Sequence, residues 1–330
     1  MEDGPVFIVG VPRSGTTVLQ LQLCAHPDLA ALPETHYLSV WMRRYPSLDS
    51  ENERWFGEFW KEFTASEHFL RLRIDPDVLL KHIDSIGARS HKNIFKALLH
   101  EYVSNKGAER AVEKTPGHHY YIHQLLDWFP DCRVIWIVRD PRGVSASYQH
   151  VPWAIKNILV PARRWRSSMN AMRTWIDEPR LRVVRYEDFV ASPEEVLRGI
   201  CAFLGEDFVP QLLDVTKEEE SHYKVSDGWE RQHVVKAHSP VNAESIDKWR
   251  RELGPRQIRV VEHICRHHMP ANGYEPVYDT FSIATLWCVL SAHIRLALQL
   301  LVKRPWVLLR IAWRPINRVF GQKSLLGVVL

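Results

Sequence analysis

The chain has 330 residues, 45% hydrophobic and 25% charged, the balance of a globular protein with one large domain or two small ones. Its five cysteines (24, 132, 201, 265 and 288) are odd in number and form no CxxC pair, which argues against a zinc or disulfide scaffold and fits a reducing compartment. The net charge of +4 is uneven: residues 281–330 hold seven Lys/Arg and no Asp/Glu, the rest carries 36 basic and 39 acidic groups, and the overall basicity is therefore no argument for nucleic-acid binding.

Val6-Phe7-Ile8-Val9 predicts a fully buried strand, being short, continuously apolar and followed by a Gly-rich turn. It opens so close to Met1 that no secretory leader fits before it, so a cytoplasmic location is expected. Gly10-Val11-Pro12-Arg13-Ser14-Gly15-Thr16-Thr17 comes next, and a helix from Thr16 to about Ala25 is expected to end at His26-Pro27. Leu32-Pro33-Glu34-Thr35 reads as a loop. Residues 37–105 read as helices rich in Trp, Phe and Leu, broken near Pro46 and Pro76. Ala111–Glu113 is a short predicted strand and Lys114–Gly117 a turn. Arg133–Val138 is the clearest strand, followed by Arg139-Asp140-Pro141-Arg142-Gly143 and a helix over 144–150. Leu181–Arg185 is a further strand. Ser192-Pro193 predicts a helix start with Ser192 as N-cap, and Gly205 its stop. Strands alternating with helices predict an α/β fold, a P-loop-like parallel sheet flanked by helices. Its ligands are expected beyond the carboxyl ends of the strands, where all of these turns lie.

The Gly10–Thr17 segment matches the phosphate-binding pattern G-x-x-x-x-G-K-[ST] except that Thr16 stands where the Lys belongs. Gly10 and Gly15 let a phosphate approach backbone N–H groups, and the helix from Thr16 adds its N-terminal partial charge. Thr16 and Thr17 supply hydroxyls, and Arg13 is a cation inside the loop. Arg139 and Ser147 can form a second anion site, Arg through its bidentate fork. In a rival arrangement Arg139 pairs with Asp140 and Arg142 takes the phosphate. Two anion sites on one sheet edge suit a nucleotide with phosphates at both ends of its ribose.

Pro12–Thr17 and Val138-Arg139-Asp140-Pro141-Arg142 through Ser147 resemble the 5′-phosphosulfate and 3′-phosphate motifs of the sulfotransferases. The resemblance runs from Val6 to about Tyr274 and is closest to the bacterial and protein-tyrosine branch. Glu34-Thr35, Lys114-Thr115-Pro116, Tyr186-Glu187, and Pro240-Val241-Asn242 with Lys248-Trp249 match that branch in order. The resemblance implies 3′-phosphoadenosine 5′-phosphosulfate (PAPS) as donor, a hydroxyl-bearing acceptor and no metal. It implies Glu34 as general base, with Lys114 and Arg13 offsetting charge on the transferred group and leaving phosphate. Donor contacts are implied at Arg13, Ser14, Gly15, Thr16, Thr17, Arg139, Ser147, Tyr186 and Lys248. The chain departs from the pattern upstream of Pro240: Gln232-His233 stands where the tyrosine branch has a Ser, with Ser239 nearer. A P-loop nucleotide kinase and a non-catalytic, membrane-tethered nucleotide-binding protein are the rival readings.

Adjacent pairs His118-His119 and His267-His268 point to different faces and have no carboxylate or Cys at ligand spacing, so surface or substrate-groove positions are expected rather than a metal site; His118, just after the Lys114-Thr115-Pro116 turn, is a candidate to line the acceptor pocket. Trp41, Trp55, Trp60 and Trp153 are candidates to roof the acceptor. Residues 1–279 read as the sulfotransferase domain and 280–330 as a basic amphipathic extension. Its apolar run, about 15 residues before Arg295, is too short to span a bilayer. Arg295, Gln299 and Lys303, then Arg310, Arg314 and Arg318, repeat every four residues beside Trp306, Leu308, Leu309, Ile311 and Trp313. That pattern suits a membrane surface, a lid on the body or a dimer contact.

Overall fold

The computed structural model describes residues 4–214 and 244–303, apart from 47, 49–52 and 153. The sequence expectations at Trp153, Gln232-His233, Ser239–Asn242, Trp306, Leu308, Leu309, Arg310, Ile311, Trp313, Arg314 and Arg318 lie outside them.

Five strands form one parallel sheet: β1 (Val6–Gly10), β2 (Leu29–Leu32), β3 (Arg110–Glu113), β4 (Arg133–Val138) and β5 (Leu181–Arg185), in spatial order β2-β3-β1-β4-β5. The period-2 alternation of β1 feeds both faces. Val6 and Ile8 enter a core with Leu19, Leu23, Phe189, Leu197 and Ile200. Phe7 enters the other face, its ring 6.2 Å from Phe95 and 5.4 Å from Phe129. Burial on both faces is why these strands read as apolar runs.

The bounds of β4 and β5 are those expected. β2 is a strand that the sequence does not announce: Leu-Ala-Ala-Leu lies between two prolines and has modest β-propensity. It forms because it lies against β3 over its full length, Leu29↔Arg110 to Leu32↔Glu113. Buried Gln20, on the first helix Thr16–Leu23, stitches the ends of this pair, donating to the carbonyls of Leu32 (2.8 Å) and Val112 (3.0 Å). Ser192 occupies the N-cap of Pro193–Leu204, but its side chain makes no capping bond. The turn after Lys114 is a 3-10 helix, Pro116–Tyr121.

Two compact units divide the chain, residues 1–139 with 170–246, and 140–169 with 247–330. The whole sheet belongs to the first. In the second, helix Pro141–Gln149 is capped by Asp140, which accepts from the Arg142 N–H at 2.7 Å. Arg142, 4% exposed, is the knot of that unit. It pairs with Asp140 at 2.7 Å and Glu262 at 2.8 Å, and its guanidinium lies 4.1 Å from the Trp249 ring centroid. The apolar run of the C-terminal segment, expected to stop at Arg295, instead continues as one 21-residue helix, Ile283–Lys303. It packs on helix Pro255–Cys265. Its stretch Ile283–Leu301, with mean hydropathy 1.5, is long and apolar enough to cross a bilayer by length and composition, which corrects the shorter estimate. Arg295 does not break it because a long basic side chain at a helix edge costs the backbone nothing.

Candidate active site

The chain leaving β1 turns toward β2, and the chain leaving β4 turns toward β5 on the opposite side. Adjacent β1 and β4 therefore form the topological switch point, where the carboxyl ends of an open sheet leave a crevice. Gly10 ends β1 at φ +148, and a Cβ there would lie 2.5 Å from the Ile137 carbonyl oxygen. Arg13 is left-handed at φ 79, a conformation rare for a residue with a side chain. Gly15 follows at φ +96, and a Cβ on it would fall 2.4 Å from the Tyr186 ring. Such successive turns aim backbone N–H groups at one point. The helix that starts at Thr16 has no side-chain cap and no acidic residue in its first turn, so its leading N–H groups face an anion-favouring end. Ser14 is 1% exposed, and its hydroxyl makes no hydrogen bond. A buried orphan hydroxyl beside uncapped N–H groups fits an incoming phosphate or sulfate oxygen.

Arg139, directly after β4, reaches back over this loop. Its Nη1 donates to the Arg13 carbonyl (3.1 Å) and its Nη2 to the Ser245 carbonyl (2.8 Å). Its guanidinium sits 4.2 Å from the Tyr186 ring centroid, and the Tyr186 hydroxyl is 2.8 Å from the Ser245 Oγ. Arg139 therefore braces the Gly10–Thr17 loop as well as bringing a cation to it. Within the second unit, Arg142 pairs with two carboxylates, Asp140 and Glu262. Ser147 and Lys248 belong to the second unit. There Ser147 is half-buried on helix Pro141–Gln149, and Lys248 pairs with Glu252 at 2.8 Å.

The second half of the site follows β2 and β3. Lys114, 1% exposed, donates from Nζ to Glu34 Oε1 across 80 positions of sequence. His36 Nε2 holds the other oxygen at 3.1 Å. Burial works against ionisation of Glu34, but the Lys114 and His36 contacts outweigh it and hold the carboxyl well below the usual range. His36 is itself left-handed, at φ 49, which swings the chain into the π-helical turn Tyr37–Met42.

Beneath this pair lies a network the sequence does not announce. Glu113, at 0% exposure, accepts from Thr35 Oγ1 (2.8 Å), Thr115 Oγ1 (2.5 Å) and His118 Nδ1 (3.1 Å). Desolvation opposes its charge, but His118 and the two threonines overcome it and lower its pKa. Thr35 adjoins Glu34 and Thr115 adjoins Lys114, so Glu113 ties together the segments that carry the Glu34–Lys114 pair. The surface position open to His118 and His119 in the sequence is not what forms: both are buried, and the 3-10 turn folds His118 back over Glu113, five residues upstream. Its signal in the sequence is Glu113 closing a short strand directly before Lys114. Of the proposed roof, Trp41 is buried against Phe63, at 5.4 Å, whereas Trp55 is exposed.

His119, 3% exposed, is pushed by burial from 6.5 to about 4, against carbonyl contacts that raise it. The unfolded chain binds a proton here near pH 6.5 and the folded chain only near 4. Stability therefore falls as pH drops through that window, by on the order of 3 kcal/mol. The expected result is that His119→Gln flattens the pH dependence of the urea midpoint between about pH 4 and 6.5. An unchanged slope would show that His119 titrates normally in the fold.

Residues 5–211 match the model of the sulfotransferase family, and the chain belongs to that family. It is 25% identical over 283 residues to the nodulation protein NoeE of Sinorhizobium fredii, covering 77% of this chain and 62% of that one. It is 26% identical over 294 residues to the protein-tyrosine sulfotransferase of Drosophila melanogaster, covering 82% and 52%. The chain thus spans about half to three fifths of the length of these relatives. The fold is shared with the sulfotransferase domain from the curacin biosynthetic pathway, at TM-score 0.59 and 22% identity over 83% of this chain and 98% of that one.

Proposed function

We propose that this sulfotransferase-family chain transfers a sulfuryl group from PAPS to a hydroxyl-bearing acceptor. The observation that carries the reading is the Glu34–Lys114 pair standing on the same sheet edge as a phosphate loop whose kinase-type Lys is replaced by Thr16. A kinase needs a Lys on β/γ-phosphates, and this loop has none at that place. An in-line sulfuryl transfer needs instead a base on one side and cations on the other.

Glu34 takes the proton of the acceptor hydroxyl. The acceptor oxygen forms a bond to sulfur, and the bond from sulfur to the 5′-phosphate oxygen breaks. The products are the sulfate ester and 3′-phosphoadenosine 5′-phosphate. Lys114 and Arg13 offset charge building on the leaving phosphate, and the loop N–H groups with Ser14, Gly15, Thr16 and Thr17 hold it. Arg139 and Tyr186 order that loop and face the nucleotide. Ser147 and Lys248 join the donor contacts by the resemblance of their motifs. The proposed chemistry uses no metal, because cations and N–H groups already hold the leaving group. Glycans, lipids and small alcohols are the favoured acceptors. Peptide tyrosine is the alternative, and it is the one named for the Drosophila relative. The five described cysteines are all free and buried, in keeping with a cytoplasmic location.

The test is incubation with sulfur-labelled PAPS and a host extract, beside a parallel reaction with γ-labelled ATP. Label from PAPS is expected in one acceptor fraction, with none from ATP. Phosphoryl transfer from ATP without sulfuryl transfer overturns the proposal. Binding of 3′-phosphoadenosine 5′-phosphate at about 100 times its dissociation constant is expected to stabilise the fold by ~2.7 kcal/mol, read as a thermal shift.

A further inference from the structure

We propose that helix Ile283–Lys303 lies flat on an anionic lipid bilayer surface, with one face in protein and the other in lipid. The helix is tied down along one side. Thr285, Cys288, Ala292, Leu296 and Leu300 are buried. Arg259 donates to the Thr285 hydroxyl (3.1 Å), Asn157 to the Ala292 carbonyl (3.3 Å), and Arg163 meets His293 Nε2 at 2.7 Å. The opposite side carries Ile283, Trp287, Leu290, Ile294, Leu298 and Leu301, all at least half exposed, with Ile283 at 88% and Trp287 at 69%. Their spacing of three and four residues makes one stripe, about 27 Å long at the α-helical rise. An exposed apolar patch of that length marks an interaction surface.

Charge selects the occupant. The last carboxylate before the helix is Asp279, and none follows to residue 330, whereas seven Lys/Arg do. Within the helix itself the charges are Arg295 and Lys303, both basic, so a second copy of the helix offers no carboxylate of its own to pair with them. The segment 304–330 has the same apolar and basic composition and offers no opposite charge. Anionic headgroups offer both the charge and the apolar boundary. Spanning would strip Arg259, Asn157 and Arg163 of the partners they hold on this helix, which favours the flat placement. The inference stands independently of the sulfuryl-transfer reading.

Flotation of the full chain with preformed vesicles tests it. Binding is expected to phosphatidylcholine vesicles containing phosphatidylglycerol, and to weaken in high salt or with phosphatidylcholine alone. The combined variant Trp287→Ser, Leu290→Gln, Ile294→Gln, Leu298→Gln alters only exposed positions, so its melting temperature is expected to hold while partitioning falls at least about tenfold. Three results overturn the proposal: wild-type protein that fails to float, a variant that floats as well as wild type, or a wild-type dimer that the variant converts to monomer without any vesicle binding. Bound protein that resists a carbonate wash overturns the flat placement.

Discussion

Glu34→Gln is expected to lower kcat for sulfuryl transfer by about 10²–10⁴-fold, the usual contribution of a general base. On the barrier this is roughly 3–5 kcal/mol. Gln keeps the length and can still face Lys114, but it cannot take the acceptor proton. The buried Lys114 then keeps a dipole as partner instead of a charge, so the melting temperature is measured alongside to separate folding from chemistry. A variant within tenfold of wild type would remove Glu34 from the base role. The pH profile adds an independent reading. Lys114 and His36 hold the free carboxylate well below its usual range. Protonation of Glu34 therefore places any acid limb of kcat/KM, which reports the free enzyme, below about pH 4.5. Once Lys114 turns to the donor's phosphosulfate, the main lowering influence leaves the carboxylate. The acid limb of kcat, which reports the bound enzyme, is then expected at higher pH than that of kcat/KM. Such a separation of the two limbs is the expected sign that donor binding strengthens the base. Coincident limbs would show that Lys114 stays on Glu34 throughout.

The second large effect is expected from a residue that touches no substrate. Glu113→Ala removes the acceptor of three buried donors, Thr35, Thr115 and His118. Taking one partner from a buried charged network costs about 3–5 kcal/mol, because the remaining polar groups stay buried and unpaired. A melting-temperature fall of order 10 °C is the expected readout. Glu109→Ala, at an exposed position four residues earlier, is the control and is expected within ~0.5 kcal/mol of wild type. The pH sign follows from the lowered pKa of Glu113. Its contribution is present above the unfolded value near 4.5 and is lost as pH falls through the lower folded value. Glu113 joins the loop of Glu34, through Thr35, to the loop of Lys114, through Thr115. A partly folded Glu113→Ala protein is therefore expected to lose turnover by more than its folded fraction explains. Turnover that tracks the folded fraction would reduce Glu113 to a packing role.

What could be read in advance shares one property: it is local. β4 and β5 were legible to the residue because strands buried on both faces must be continuously apolar. The phosphate loop was legible because its backbone demands glycine at Gly10 and Gly15, and because the position after Gly15 is conspicuously not Lys. β2 was not legible, since four residues of Leu and Ala between prolines carry no strand signal until β3 lies alongside. The sequence marks Arg139 as a candidate phosphate fork, and the fold adds that it braces the loop carbonyl of Arg13. Nor does the sequence show that the C-terminal apolar run continues past Arg295 to Lys303, since that depends on helix Pro255–Cys265 covering its other side.

By itself, then, the sequence determined the parallel sheet, the glycine-dependent turn after β1 and the candidate reactive residues Glu34 and Lys114. Only the tertiary structure decided how those residues meet. Parallel strands are joined by long crossovers, so side chains 80 positions apart are brought together by strand register alone. No local pattern records that register. The same holds for the buried Glu113 network and for the outward apolar stripe of Ile283–Lys303, which exist only once neighbouring elements have decided which faces are covered.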